Sequence, residues 1–563
     1  MIRKIALAVA SASLLTACGG GGDININPST TDNSTNNSNN TTTSTGGGDE
    51  NPCAFYVTDG GQTVQGTFDA TSGNCTYSSA FVSAGNELEN DLNIPALADG
   101  GAHIFQGDLI VGTSFDSDAA LAAAGIAQGG DGPTLTIEPG VTMGWPQGRS
   151  LIVNRGSQII ASGTAVAPIT LTSTTDINGD LNVAGADGAE AVEQWGGMLI
   201  NGFGYTNECD YDTTTGSRAD NTMPLASECH VVSEGITGAA ENRHGGQNDD
   251  DNSGRLEFVL VKHTGGDLGA GNDLNGITFG SVGRSTVLNN VETYSTLDDG
   301  IEFFGGAANI TNYAGIYNRD DSIDLDAGWI GDLTNGLVIH SETQGNHCIE
   351  SDGIDDHDDR LAGDATIYAT LRDAGLVTAP TITNLTCIVS PSAEASQDPG
   401  AGWRLREGIN PTIIDSLLIG SHIAPAAADP TDNYGVRIED GTRDDLATAF
   451  VTLDGVIVAF ADTVASVDQA LVEAEGVLFA SVPAGAALDP TAAADTALQV
   501  LEGTPPIFSI PLATATVDDT SPPAVADAVG DFVGVLQTTD TNVFAGWTFG
   551  IFDGSRTQPF FFE

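Results

Sequence analysis

Gly276-Ile277-Thr278-Phe279, Gly300-Ile301-Glu302-Phe303, Ser322-Ile323-Asp324-Leu325, Cys348-Ile349-Glu350-Ser351, Gly402-Trp403-Arg404-Leu405 and Gly435-Val436-Arg437-Ile438 repeat one pattern, small-apolar-polar-apolar. The central apolar residue recurs after 24, 22, 26, 54 and 33 residues. A second pattern lies between the copies, in which Asn290, Asn312, Asn335, Asn384 or Asp415 opens a short apolar strand such as Gly315-Ile316-Tyr317. A turn of 22 to 26 residues with two or three short strands is too short for a propeller blade and lacks the helix of a leucine-rich repeat. It has the size of one coil of a right-handed parallel β-helix, an all-β solenoid. Stacked coils would bring like residues to about 4.8 Å, turning the Asn column into an amide ladder.

Composition agrees. The 563 residues include 71 Gly, and 40% of the chain is hydrophobic, which favours many turns and few long helices. The net charge of -59, from 76 acidic against 17 basic residues, excludes a nucleic-acid binder, since counterion release needs clustered basic groups. Only Lys4 and Lys262 are lysines.

Met1 to Leu15 reads as an export signal, with Arg3 and Lys4 before an apolar run. Leu15-Thr16-Ala17-Cys18 resembles the bacterial lipobox, which implies a diacylated Cys18; Gly19 in place of Asp implies the outer membrane, facing the periplasm or the cell surface. Residues 18–50, rich in Gly, Asn, Ser and Thr, form a tether that would hold the body about 30 Å from the lipid. The rest divides into an N-terminal cap (51–130), the β-helix body (131–444) and an Ala/Pro-rich C-terminal cap (445–563), because solenoid ends need covering. A helix is expected within the insertion, over 365–374, and another near 467–475. Six cysteines remain in an exported chain: Cys53, Cys75, Cys209, Cys229, Cys348 and Cys387. They allow 15 pairings, of which three sequential bridges are favoured; zinc is the weaker alternative, as no C-x-x-C occurs.

Gly148-Arg149-Ser150-Leu151-Ile152-Val153-Asn154-Arg155-Gly156, Trp195-Gly196-Gly197-Met198-Leu199-Ile200-Asn201-Gly202 and Asp298-Asp299-Gly300-Ile301-Glu302-Phe303-Phe304-Gly305-Gly306 carry a resemblance. They are similar to large bacterial surface and outer-membrane lipoproteins with parallel β-helix bodies. The similarity covers roughly residues 134–331, and Ala545-Gly546-Trp547-Thr548 resembles the family's C-terminal end. The resemblance implies fold and location, and carries no settled activity.

The register places Thr278, Glu302, Asp324, Glu350, Arg404 and Arg437 in one outward column. Stacked carboxylates repel, and Asp299 and Asp321 at adjoining turns deepen the negative field. Ca2+ is the natural partner of such oxygen ligands; the alternative is a solvated row with loose counterions. Asp176-x-Asn178-x-Asp180 with Asp187 half-matches a calcium loop, as does Asp249-x-Asp251-x-Ser253-Gly254. The acids and His357 within 350–359, with His340 and His347 upstream, invite a transition metal, though surface charge is the simpler account. Trp329 is the best candidate for an exposed sugar platform, Trp195 a second, and Trp403 belongs to the core. The expectation is a lipid-anchored binding or adhesion protein for a glycan or surface partner. One alternative is a polysaccharide lyase or glycoside hydrolase acting through Glu302, Asp324, Glu350 and Arg404, with Arg319 and Arg406 as further bases. Another is an accessory lipoprotein that captures substrate for an outer-membrane transporter.

Overall fold

Each copy of the small-apolar-polar-apolar pattern forms one short strand: Ile277–Gly280, Ile301–Phe304, Ile323–Asp326, Ile349–Asp352, Trp403–Arg406 and Val436–Ile438. The computed structural model describes residues from 51 onward with interruptions, the longest being 355–364, 391–401, 421–434, 461–476, 482–496 and 512–533. The six strands pair in parallel, and Thr278, Glu302, Asp324, Glu350, Arg404 and Arg437 fall in one register row. Met198–Asn201, Leu151–Val153 and Leu109–Val111 extend this wall to nine strands. The small residue opening each copy is a packing requirement: a Cβ on Gly402 would stand 1.9 Å from the carbonyl oxygen of Gly435 on the next coil.

The second pattern forms longer strands, Val287–Tyr294, Asn309–Ile316, Asp332–Ile339 and Thr381–Ile388, again in parallel. Asn290, Asn312, Asn335 and Asn384 bend each one, with φ of 58°, 58°, 60° and 58°. Left-handed backbone costs a residue with a Cβ about 1–2 kcal/mol, and Asn tolerates it best because its short amide can bond locally. Here the amides bond to each other. Asn312 Nδ2 donates to Asn290 Oδ1 (3.3 Å), Asn335 to Asn312 (3.0 Å) and Asn384 to Asn335 (3.3 Å). Each coil thus has three straight walls, the pattern strand and the two halves of the bent strand. Phe258 occupies the same bend on Gly254–Lys262 with φ 53°, where no amide marks the place.

The bore is apolar. Ile277, Phe279, Ile301, Phe303, Ile323 and Leu325 are fully buried, each worth about 1.5–3 kcal/mol in removed apolar surface. Aromatic rings stack along the bore: Phe279 on Phe303 at 4.6 Å and Phe303 on Trp329 at 4.5 Å, then Phe105 on Trp145 at 5.6 Å and Trp145 on Trp195 at 4.7 Å. Trp329 and Trp195 are therefore core residues, not sugar platforms; Trp403 is buried as expected. The turn Ala327-Gly328, with φ of 52° and 89°, sends Trp329 inward, where its Nε1 donates to Ala308 O.

Parallel pairing runs beyond 131–444 on both sides, from Asn74–Tyr77 to Leu478–Ser481. Two antiparallel hairpins cover the N-terminal end. Three sequential disulfides form, Cys53–Cys75, Cys209–Cys229 and Cys348–Cys387. The insertion carries the helix Ala365–Asp373, while the segment 467–475 and all of residues 1–50, Cys18 included, lie outside the described residues. No helix among the described residues is long and apolar enough to cross a membrane. Near the C-terminus, Phe544, Trp547, Ile551 and Phe560 lie across an outer stripe of Leu260, Tyr294, Ile316, Leu337 and Ile339, forming a second apolar cluster.

Candidate functional site

The register row stands outside the bore on the nine-stranded wall, but it is not a row of solvated side chains. Glu302 is 6% exposed, with Asp299 at 7% and Asp321 at 3%. Glu302 Oε2 accepts a short hydrogen bond from Asn275 Nδ2, and a side-chain hydrogen bond joins Glu302 to Glu234. Glu234 comes from the long excursion between the strands Met198–Asn201 and Gly254–Lys262, which folds over this face.

A second column flanks the first, two residues before each central apolar position: Asn275, Asp299, Asp321 and His347. Each side chain holds the backbone of the next coil. Asn275 Oδ1 accepts from Asp299 N (3.2 Å), Asp299 Oδ1 from Asp321 N (2.9 Å) and Asp321 Oδ1 from His347 N (2.7 Å). His347 Nδ1 also meets Asp321 Oδ1 at 2.8 Å and Glu350 Oε2 at 3.7 Å. Sequence reasoning missed Asn275 and Glu234, and named His347 only as a transition-metal candidate, not as a member of this column. Asn275 and His347 share the constant offset from the pattern and could have been found by it; Glu234 has no such signal.

Charge divides the face in two. At one end Arg404 Nη1 lies 2.8 Å and Arg406 Nη2 3.1 Å from Glu350 Oε1, Arg406 also grips Asp352, and Arg404 and Arg437 both reach Glu439. Burial alone would raise the Glu350 pKa, but His347, a hydrogen bond with Asp321 and the two arginines hold it below the usual range. At the other end, carboxylate oxygens of Asp299, Glu302 and Asp324 lie within 4.8 Å of one another, as do those of Asp298, Asp299 and Asp320. Burial first, then neighbouring acids, raise Asp299, Glu302 and Asp324 well above their ordinary values. Asp321 rises too, mainly by burial and then by Glu350, so it takes the proton of that pair. His347, pushed down to about 4 chiefly by burial, stays neutral.

An all-oxygen, all-acid donor set suits a hard divalent cation better than a soft one. Glycoside hydrolysis asks for carboxyl groups about 5–9.5 Å apart, whereas Glu234–Glu302 and Asp321–Glu350 are hydrogen-bonded pairs. Lyase chemistry asks Arg to give up its proton. Desolvation works against the charges of Arg404 and Arg406, yet their acid partners raise both pKa values above the ordinary one. Arg319 Nη2 donates to Glu190 O (3.0 Å).

In the two half-matched loops the acids meet protein groups. Ser173 caps a short helix, Thr174–Ile177, by accepting from Asp176 N. Asp176 Oδ2 then faces Lys262 Nζ at 2.8 Å and Thr172 Oγ1 at 2.7 Å, Asn178 is the helix C-cap, Asp180 opens a 3-10 turn, and Asp187 lies outside the described residues. Asp249 pairs with buried Arg218 at 2.8 Å, and Asp251, pushed up to about 6 by burial, accepts from Phe203 N. His340 is wholly buried with Nδ1 accepting from Ser390 N, and His357 lies outside the described residues.

Residues 113–476 match the family profile described as a pectate-lyase like beta helix domain. No curated protein and no solved structure matches the chain. With well over half its length in that match and coils stacked in register, the chain belongs to the pectate-lyase-like β-helix family.

Proposed function

We propose that the protein binds a glycan along the nine-stranded wall, with Ca2+ held by Asp299, Glu302 and Asp324 and, beside them, Asp321 and Glu350. One observation carries this reading: the ligand oxygens of Asp299, Glu302 and Asp324 converge within 4.8 Å in a buried setting. Three ionised carboxylates so close need a cation or protons to offset their repulsion. A hard cation leaves coordination positions that sugar hydroxyls or a carboxylate can fill. The adjoining Arg404–Arg406–Arg437 end supplies forked donors for the same ligand. Family membership is compatible with a carbohydrate-related role.

The reading includes export, lipidation at Cys18 and tethering through residues 19–50 to the outer membrane, on its periplasmic or outer face. Support for that part is the signal-like leader and the lipobox-like Leu15-Thr16-Ala17-Cys18. Metabolic labelling with a fatty acid checks it, with Cys18→Ser expected to lose the label.

The glycan claim is checked with the full chain on an array of acidic and neutral polysaccharides, in Ca2+ and in chelator. Retention that needs Ca2+ and is lost in Asp324→Asn is expected. Equal retention in chelator would remove the calcium role, and no retention of any glycan would remove the binding role. New reducing ends or unsaturated uronates, absent from Glu302→Gln, would replace binding by catalysis.

A further inference from the structure

Lys262 is the only lysine after residue 4, and it is not a surface residue. It closes the strand Gly254–Lys262, is 7% exposed, and points outward from the wall beneath the C-terminal segment. The Phe549 ring covers its Nζ at 4.1 Å. The Asp176 carboxylate, delivered by the Ser173-capped turn that follows the neighbouring strand, lies 2.8 Å from the same Nζ. Thr172 Oγ1 donates to the oxygen that meets the amine.

On the opposite neighbour strand stands Glu292, wholly buried. Its Oε2 accepts from Phe549 N at 2.7 Å, so one residue both covers the lysine and anchors this carboxyl. Its Oε1 has no hydrogen-bond partner among the described residues. Burial holds this acid well above its ordinary pKa, while the Lys262 charge works in the opposite sense. Amine and carboxylate are thus in contact, and Phe549 links the amine to a second, wholly buried carboxyl.

We propose that Lys262 and Asp176 condense to an intramolecular isopeptide bond, with Glu292 as the proton relay. The Lys262 ammonium passes a proton to the Asp176 carboxylate, leaving a neutral amine and a neutral acid. Nζ attacks Cγ of Asp176 and the N–C bond forms. The C–O bond to the hydroxyl breaks, and the hydroxyl leaves as water with a proton from Glu292. The proton that nitrogen sheds on becoming an amide returns to Glu292. Ammonium and carboxylate become amide and water, with no redox change and no co-reactant.

Two physical effects drive the step. In water the separated ions are strongly hydrated, whereas here the Lys262 side chain is 8% exposed and that of Asp176 22%, so the pair has lost part of that hydration and neutral products gain relative to it. Holding the reacting groups in contact supplies an effective molarity of about 10⁵–10⁸ M. The product would tie the turn at 174–177 to a neighbouring coil across the whole excursion that brings Glu234 over the acidic face.

Peptide mapping of the full-length protein, reduced and digested by chymotrypsin, decides the matter. The expected product is a branched peptide joining the segment with Asp176 to the segment with Lys262, lighter by one water than their sum. Lys262→Arg keeps the ion pair and must lack the branch. Glu292→Gln, folded by circular dichroism, is expected to lose the branch or form it at least tenfold more slowly after refolding. Finding only the two linear peptides in the wild type overturns the bond. An unchanged rate in folded Glu292→Gln overturns the relay assignment.

Discussion

Glu302→Gln separates the cation reading from a merely protonated acid cluster. The glutamine can still accept from Asn275 and can donate to Glu234, so both hydrogen bonds of Glu302 survive. What disappears is charge. Two unit charges 4.8 Å apart repel by about 0.9 kcal/mol in water and about 3.5 kcal/mol at an effective dielectric of 20. Deleting the Glu302 charge removes its pairs with Asp299 and Asp324, bounding the relief between about 2 and 7 kcal/mol. Proton uptake absorbs most of that in the metal-free wild type, leaving about 1–3 kcal/mol.

The pH dependence has a definite sign. Burial first, then neighbouring acids, raise Glu302 in the folded state, while the unfolded chain loses its proton near 4.3. The contribution is therefore fully present below the unfolded value and declines as pH rises toward the folded one. In chelator, the wild type is expected to lose melting temperature from pH 5 to 8, and Glu302→Gln to lose less and melt a few degrees higher at pH 7.5. Ca2+ at one hundred times its Kd returns about 2.7 kcal/mol to the wild type and less to the variant, reversing the order. Calorimetric melts in chelator and in Ca2+ read both effects. The same difference between the two proteins in both buffers would refute the reasoning, as would a wild type indifferent to pH in chelator.

Trp329→Ala removes the stack on Phe303 and the Nε1 bond to Ala308, and is expected to cost about 3–5 kcal/mol in urea unfolding. A value under about 0.5 kcal/mol would fit an exposed ring. Asn335→Ala should cost about 2–3 kcal/mol, from strained φ and two lost ladder bonds. Asn335→Gly, which keeps the backbone at ease, should cost about 1 kcal/mol less; equal losses would show that strain is not the cause. Arg406→Ala leaves Glu350 and Asp352 short of a partner and should destabilise by about 1–3 kcal/mol at pH 7.5 and less at pH 4.5, measured by melts at both.

The pattern strands pair in the register that aligning Ile277, Ile301 and Ile323 predicts, because a strand with an apolar residue facing the bore cannot slip by one without exposing it. The amide column was legible for a similar reason: Asn at a fixed place reports a left-handed bend. Phe258 takes the same bend with no residue-type signal, and its neighbours hold it there. Trp329 was misread because Asp326-Ala327-Gly328 looks like a solvated turn, and only the φ values reveal that the chain re-enters the bore. The Asp176 spacing fitted a calcium loop, but the Ser173 cap made a helical turn and Lys262 captured the carboxylate. Within the acidic face, Asp299, Asp321 and the register column were readable, whereas Glu234 arrives from an excursion whose path no periodicity describes.

The paired indoles in the bore have an optical consequence. Trp145 and Trp195 lie 4.7 Å apart, 12° from parallel and wholly out of water. Chromophores held so close share their excited states, and the sign and size of the resulting near-ultraviolet circular dichroism depend on the angle between rings. One coil sliding past the next would change that angle before any strand melted. The solenoid thus contains its own gauge of coil alignment, readable without a label.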